Sequence, residues 1–170
     1  EEEPIHLEEY ASALSQLMGH RKSKLIFEPG RYLTANAGIL VSKVINIKQN
    51  EGKNFAIIDA GMNDLIRPAL YSSWQQITEV AKTEVDTKKY DVVGPICETG
   101  DFLGKNRDLS LAPDDLVAIH SAGAYGFAMS SNYNSRNKPA EVIVSGSKAH
   151  CVRSRETIDD QLKLERKFPI

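Results

Sequence analysis

The pattern of apolar and polar positions divides the chain into a short helical part and a longer part typical of β-strands. Apolar residues recur at helical spacing from Leu7 to about Gly19, and this glycine supplies a helix stop. A charged linker then leads to the apolar run Lys24–Phe27, which predicts a short buried strand ending at Glu28. Helix, loop, strand and polar loop is the order found in α/β barrels, so residues 1–35 are predicted to be the last helix and strand of an incomplete TIM (β/α)8 barrel.

The rest of the chain shows short runs rich in β-branched and aromatic residues, separated by Gly, Pro, Asp and Asn. Runs of this kind predict strands. The predicted strands are Ala37–Ile47, Phe55–Ile58, Ile77–Val80, Tyr90–Val93, Leu116–Ser121, Ala140–Val144 and Ala149–Val152. A terminal helix is predicted from Thr157 to about Lys167. Many short strands with such turns favour a mainly β fold, so residues 36–170 are predicted to form a Greek-key-like β-barrel domain that ends in this helix.

Length, charge and cysteine content narrow the classes of function. The 170 residues suffice for one domain with a buried core, or for one domain and part of another. The net charge of -2, with basic residues scattered along the chain, gives no electrostatic basis for binding nucleic acid or an anionic membrane. No apolar stretch approaches the ~20 residues of a membrane span, and no signal-peptide pattern opens the sequence. Cys97 and Cys151 are therefore expected to be free thiols of a cytoplasmic protein, with Cys151 in the core.

Four polar clusters lie between the apolar runs and are candidates for a functional site. Each combines a turn-forming Gly or Pro with charged, thiol or phenolic side chains, the composition of loops that carry function on a rigid scaffold. The clusters are Glu28–Arg31, Asn63–Tyr71, Gly94–Asp101 and Ala122–Gly126. No set of Cys and His residues has the spacing of metal ligands, so no metal site is predicted. The clusters together predict a site with two guanidinium groups, a carboxylate, a thiol and a phenol.

The first two clusters offer groups that bind anions. Gly30 lets a phosphate approach the backbone, and Arg31 can pair with phosphate or carboxylate. A Pro-Gly turn with solvated charges explains the same residues about as well. Arg67 and Tyr71 are four residues apart, so one helical turn would place both on one face, where they can hold a carboxylate. An ordinary surface pair is the alternative.

The other two clusters offer a proton donor, a carboxylate and a phenol. Cys97 can give or take a proton, because thiols titrate near ~8.5 and are easily tuned. Glu98, next to it, can bind an ammonium group; a small buried cysteine beside an exposed glutamate is the alternative. Tyr125 has small neighbours, so its ring can cover a planar ligand or reach a phosphate, and a core tyrosine at a strand end is the alternative.

Taken in order, the four clusters resemble the C-terminal portion of the diaminopimelate decarboxylases, a branch of the barrel-type decarboxylases that depend on pyridoxal 5'-phosphate (PLP). The similarity runs from Phe27–Arg31 to Asn132–Arg136 and Pro139–Val142. The Glu-Pro-Gly-Arg tetrapeptide is shared by the wider group, which includes ornithine and arginine decarboxylases. Asp59–Tyr71 and Cys97–Asp101 resemble the diaminopimelate branch, since ornithine-type relatives usually follow the cysteine with Asp.

This resemblance implies a lyase of lysine biosynthesis that converts meso-2,6-diaminopimelate to L-lysine and carbon dioxide, with PLP as cofactor. The implied cofactor-binding residues are Glu28, Pro29, Gly30, Arg31 and Tyr125. The implied substrate-binding residues are Arg31, Arg67, Tyr71, Glu98 and Tyr125. Cys97 resembles the catalytic proton donor of the family. Since the family takes Cys97 and Glu98 from the neighbouring subunit, the resemblance also implies a homodimer with shared active sites.

Two alternatives stay open at this point. The Schiff-base lysine and the glycine-rich phosphate loop of the family are absent from these residues, so the chain alone is expected to be inactive. The first alternative is a decarboxylase of the same fold that acts on ornithine, arginine or carboxynorspermidine; Glu98 and the Arg67/Tyr71 pair argue against it. The second is a non-catalytic homologue that serves in dimerisation or regulation, against which the intact Cys97 argues.

Overall fold

The computed structural model describes residues 5–81 and 84–169. Its helices are Leu7–Met18 (α1), Gly30–Thr34 (α2), Arg67–Tyr71 (α3) and Ile158–Leu162 (α4). Its strands are Leu40–Asn50 (β1), Lys53–Ile58 (β2), Ile77–Glu79 (β3), Lys88–Val93 (β4), Phe102–Leu109 (β5), Leu116–Ile119 (β6), Glu141–Ser145 (β7) and Lys148–Arg153 (β8). Within the described part of the chain, no helix is both long and apolar enough to cross a membrane.

Six of the strands form one sheet that curls until its two ends approach each other. The strand order is β3-β6-β1-β2-β4-β5, and every pair is antiparallel except β2 with β4. At the two ends of the sheet, Glu79 of β3 accepts a hydrogen bond at 2.5 Å from the backbone N–H of Ser110, directly after β5. β7 and β8 pair only with each other. The predicted mainly β fold with a Greek-key-like β-barrel is confirmed as a mainly β domain with a nearly closed barrel-like sheet.

The inside of the curled sheet is filled by aliphatic side chains. The larger ones with 0% exposure are Val44, Ile58, Leu65, Val92, Leu103, Val117 and Ile119. Burying a side chain of this size stabilises the fold by roughly 1.5–3 kcal/mol. Most come from strands, but Leu65 comes from the loop before α3. That loop is therefore anchored in the core at its C-terminal end, which fixes where α3 begins.

The predicted strand Lys24–Phe27 is wrong. Helix α1 forms as predicted, yet the segment after it is exposed and makes no ladder, because no neighbouring strand in the described chain pairs with it. It packs against α1, where the rings of Tyr10 and Phe27 meet edge to face at 6.4 Å. The division into residues 1–35 and 36–170 stays a prediction, and residues 1–4, 82–83 and 170 of these ranges lie outside the described residues.

Three further details differ from the sequence-based expectations. Strand β5 was not expected, because its middle, from Gly104 to Asp108, consists of glycine and polar residues. The terminal helix is limited to α4, where Thr157 and Asp160 form a capping box. Cys151 is exposed rather than in the core, because the β7–β8 hairpin does not pack under the six-stranded sheet.

Candidate active site

Two glycines dock α2 against the loop that carries Tyr125. The N–H of Gly123 donates to the carbonyl of Ala35 at 3.0 Å. A Cβ added to Gly38 would lie 2.7 Å from the Cα of Gly123, so the two backbones approach more closely than side chains would allow. This close approach places Arg31, on α2, beside the Tyr125 loop.

Arg31, Arg67, Tyr71 and Tyr125 form one group, here called the arginine cleft. Arg31 and Arg67 line the same cleft of about 130 Å³. The guanidinium carbon of Arg67 lies 5.2 Å from the centre of the Tyr71 ring and 5.0 Å from that of Tyr125. Both distances are within the range of cation–π contacts. Helix α3 produces the first contact, since Arg67 and Tyr71 are one turn apart on it.

The positive charge of the arginine cleft is not neutralised within the described residues. The five ion pairs found there involve Lys43, Lys53, Lys89, Arg136 and Arg153. Neither Arg31 nor Arg67 is among them, so no described carboxylate lies within 4.0 Å of either guanidinium group. Two guanidinium groups that line one cleft without a carboxylate partner among the described residues favour the binding of anions, such as a phosphate or a carboxylate.

Tyr125 has a backbone conformation that tyrosine seldom adopts. Its φ is 61°, in the left-handed region, and its side chain is 43% exposed. Such a conformation costs of order 1–3 kcal/mol and persists only where the surroundings enforce it. Here it presents the ring to the guanidinium group of Arg67. The strain is therefore located at a side chain that lines the candidate site.

Cys97 and Glu98 lie at the exposed tip of a second loop, Gly94–Asp101, here called the thiol loop. Both side chains are exposed, and the Cys97 thiol is free. The hydroxyl of Tyr133 donates a hydrogen bond to Oε1 of Glu98. This bond, and next the charge of Glu98, raise the pKa of Tyr133. The thiol loop thus presents a thiol beside a carboxylate that is held by a phenol.

A third segment, Ser131–Arg136, connects the thiol loop to the loop before α3. While Tyr133 contacts Glu98, the Nε of Arg136 donates to Oδ1 of Asn63 at 3.0 Å. Its Nη2 donates to the carbonyl of Asp59. Asn63 is only 2% exposed, so this bond satisfies a buried amide oxygen.

Two aspartates fix the loop before α3 itself. Oδ1 of Asp59 accepts the hydroxyl of Ser42 at 2.6 Å and the N–H of Lys43 at 2.8 Å, which ties the loop to β1. Oδ2 of Asp64 accepts the N–H of Gly61 at 2.9 Å. Burial raises the pKa of Asp64, while this hydrogen bond and the charge of Arg136 oppose the rise. The loop is therefore rigid, and it positions Arg67.

The structure brings the proposed site residues together in two groups rather than one. Arg31, Arg67, Tyr71 and Tyr125 form the arginine cleft, and Cys97 with Glu98 forms the tip of the thiol loop. No hydrogen bond, ion pair or ring contact among the described residues joins the two groups. The polar residues that support both groups were not predicted as site residues. They are Asp59, Asp64, Asp101, Tyr133 and Arg136, all of which lie in segments that carried the resemblance.

The remaining predicted residues lie on the segment that leads into α2. Glu28 and Pro29 are exposed, and the Glu28 side chain has no hydrogen-bond or ion-pair partner among the described residues. A Cβ added to Gly30 would meet no atom within 4 Å, so a ligand can approach its backbone freely. Residues 5–81 and 84–169 hold no group of three or more His, Cys, Asp or Glu side chains placed to bind a metal ion.

Comparisons with known proteins identify the family of this chain. The family model of the pyridoxal-dependent decarboxylase C-terminal sheet domain matches residues 26–123. The chain is 55% identical over 170 residues to diaminopimelate decarboxylase of Vibrio cholerae, and 52% identical over 169 residues to that of Pseudomonas fluorescens. Each match covers 99% of this chain but 41% of the relative, so the chain spans about two fifths of the length of these curated relatives.

A solved structure shows the same likeness in three dimensions. The crystal structure of diaminopimelate decarboxylase from Helicobacter pylori complexed with L-lysine superposes with a TM-score of 0.88 at 40% identity. The superposition covers 96% of this chain and 40% of that one. The sequence identities, the superposed structure and the matched family model all indicate one family. The chain belongs to the pyridoxal-dependent decarboxylase family, and it carries that family's C-terminal sheet domain.

Proposed function

We propose that this chain supplies the sheet-domain part of a PLP-dependent decarboxylase that converts meso-2,6-diaminopimelate to L-lysine and carbon dioxide. The observation that carries the proposal is the arginine cleft, where two guanidinium groups have no carboxylate partner among the described residues. PLP carries a phosphate, and diaminopimelate carries a carboxylate at each end. A cleft with uncompensated positive charge suits both molecules.

The residues around α2 fit the cofactor. The open backbone at Gly30 and the exposed guanidinium of Arg31 suit its phosphate, with Pro29 fixing the turn before them. The free carboxylate of Glu28 suits the protonated ring nitrogen, and the ring of Tyr125 suits the planar cofactor. When bound, PLP supplies the electron sink that makes loss of carbon dioxide from the α-carbon feasible.

The arginine cleft and the thiol loop would bind the carboxylate and the ammonium group at the distal end of the substrate. Arg67 and Tyr71 bind the distal carboxylate, while Glu98 accepts hydrogen bonds from the distal ammonium. Arg31 and Tyr125 contact both cofactor and substrate. Ornithine has the ammonium but lacks the second carboxylate, so Arg67 would have nothing to bind. This difference favours diaminopimelate over ornithine.

Cys97 would act as the proton donor. Loss of carbon dioxide would break the bond between the α-carbon and its carboxylate and leave at that carbon an electron pair that needs a proton. The thiol would then deliver its proton from Sγ to that carbon, so that hydrogen replaces the carboxylate. The exposure of Cys97 at the loop tip leaves its Sγ accessible for this transfer.

The separation of the two groups supports a homodimer with shared active sites. Within one chain, no described contact joins the arginine cleft to Cys97 and Glu98, and both loop-tip residues are exposed. A second copy of the chain would present its thiol loop to the arginine cleft of the first. We place the protein in the cytoplasm, since its cysteines are free in the structure.

The proposed function is tested by carbon dioxide release from the full-length protein that contains this chain, supplied with PLP. We expect turnover of meso-diaminopimelate with L-lysine as product, and at least about thirtyfold lower kcat/KM for ornithine and arginine, because leaving Arg67 unpaired costs about 2–5 kcal/mol. Preference for ornithine or arginine would contradict the substrate proposal. Absence of turnover with every substrate, in a folded protein that binds PLP, would favour a non-catalytic homologue.

A smaller effect is expected at Tyr133. Tyr133→Phe removes one hydrogen bond to Glu98, so the carboxylate is less well oriented for the ammonium of the substrate. A hydrogen bond contributes about 1 kcal/mol, which corresponds to a rise of about fivefold in KM for diaminopimelate. Steady-state kinetics measure it, with Tyr10→Phe on α1 as the matched control. An unchanged KM would mean that Tyr133 does not orient Glu98 during binding.

A further inference from the structure

We propose that Asp101 is a positioning residue that clamps the thiol loop to the loop before α3. Its consequence for turnover rests on the function proposed above, because Cys97 and Glu98 act at the tip of the clamped loop. The clamp itself depends only on the hydrogen bonds that Asp101 accepts from Met62 and Ile96.

The carboxylate of Asp101 joins two loops that are far apart in sequence. Its Oδ1 accepts the backbone N–H of Met62 at 2.6 Å, and its Oδ2 accepts the backbone N–H of Ile96 at 2.6 Å. Asp101 is only 4% exposed, so water does not compete for these bonds. One side chain thus fixes the residue before Cys97 to the loop that leads into α3.

The backbone of Asp101 closes the thiol loop on itself. The N–H of Gly94 donates to the carbonyl of Asp101 at 3.1 Å, and the N–H of Asp101 donates to the carbonyl of Glu98 at the same distance. Cys97 lies within this closed turn. Its position therefore depends on Asp101 through both side-chain and backbone bonds.

Gly94 makes room for the clamp. A Cβ added at this position would lie 2.7 Å from Cγ of Asp101, closer than real carbon atoms approach. The glycine is therefore required by the buried carboxylate rather than by a positive φ. Its presence beside Asp101 indicates that the carboxylate belongs in this position.

The first test is amide hydrogen exchange in the full-length protein, comparing wild type with Asp101→Asn. An amide has one accepting oxygen, so at least one of the two N–H donors loses its partner. We expect exchange at Met62 or Ile96 to become at least about tenfold faster, as expected for easier local opening. Asp91→Asn is the control, since Asp91 likewise accepts a backbone N–H, from Asn106 at 2.8 Å, within the β4–β5 hairpin. Unchanged exchange at both Met62 and Ile96 would overturn the clamp.

The second test separates positioning from general stability by a double-mutant cycle in turnover. We expect Asp101→Asn to lower kcat about tenfold in the wild-type background and to have little further effect on kcat when Cys97 is already alanine. An equal loss in both backgrounds would assign Asp101 a structural role only and overturn the proposal. If Asp101→Asn fails to fold, Gly94→Ala, which displaces the same carboxylate, takes its place in both tests.

The two tests keep this proposal distinct from the proposed function. Faster exchange at Met62 or Ile96, with a Cys97→Ala variant that turns over normally, would support the clamp and contradict the catalytic role of Cys97. Unchanged exchange at both Met62 and Ile96, with a kcat that falls in the Cys97→Ala variant, would contradict the clamp and support the catalytic role of Cys97.

Discussion

Replacing Arg67 with alanine is expected to lower kcat/KM for meso-diaminopimelate by at least about thirtyfold in the full-length protein. The guanidinium group contacts two tyrosine rings and has no carboxylate partner among the described residues, so it can pair with the distal carboxylate of the substrate. Removing one partner of a desolvated charge pair costs about 2–5 kcal/mol, because the other charge is left unpaired. At about 1.4 kcal/mol per decade, this corresponds to a loss of roughly one and a half to three and a half decades.

The control for Arg67→Ala is Arg166→Ala. Arg166 is an exposed arginine near the C-terminus whose Nη1 donates to the backbone carbonyls of Lys163 and Glu165. Its loss should leave kcat/KM unchanged. If Arg67→Ala kept wild-type kcat/KM for diaminopimelate, the distal carboxylate would have to be bound elsewhere, and the assignment of the arginine cleft would fall.

Replacing Cys97 with alanine is expected to lower kcat by at least about a hundredfold with little change in KM. A positioned general acid contributes about 10²–10⁴-fold to the rate. Because the proton moves only as the reaction proceeds, its donor stabilises the transition state rather than bound substrate. Cys151→Ala is the matched control, since Cys151 is also a free, exposed thiol but lies on the β7–β8 hairpin. A rise in KM at unchanged kcat would contradict the role of proton donor.

The strands were predictable where local composition and sheet packing agree. β2 and β4 contain the β-branched runs that predicted them, and their inward-facing residues fill the core. β5 was not predicted, because its middle consists of glycine and polar residues, and it forms a strand because it pairs with β4. Lys24–Phe27 shows the converse, since an apolar run without a partner strand stays irregular. Pairing partners are a tertiary property, and a local pattern does not contain them.

The candidate site was predictable as residue types but not as contacts. The four clusters named the arginines, the thiol and the phenols, because these types stand out beside glycine and proline. The stacking of Tyr125 on Arg67 depends on a left-handed backbone and on the approach of Gly38 to Gly123, which no spacing reveals. Asp101 is the last residue of one cluster, but its role depends on the N–H groups of Met62 and Ile96, which only the fold brings together.

The central claim is that the arginine cleft and the thiol loop are two halves of one decarboxylase site, joined across a dimer. It is tested by mixing full-length Arg67→Ala and Cys97→Ala proteins under conditions that exchange subunits. If each site takes Arg67 from one chain and Cys97 from the other, every mixed dimer has one site with both defects and one intact site. About half of the dimers are then mixed, and activity should return to about a quarter of wild type. No recovery, with mixed dimers shown to be present, would contradict the claim.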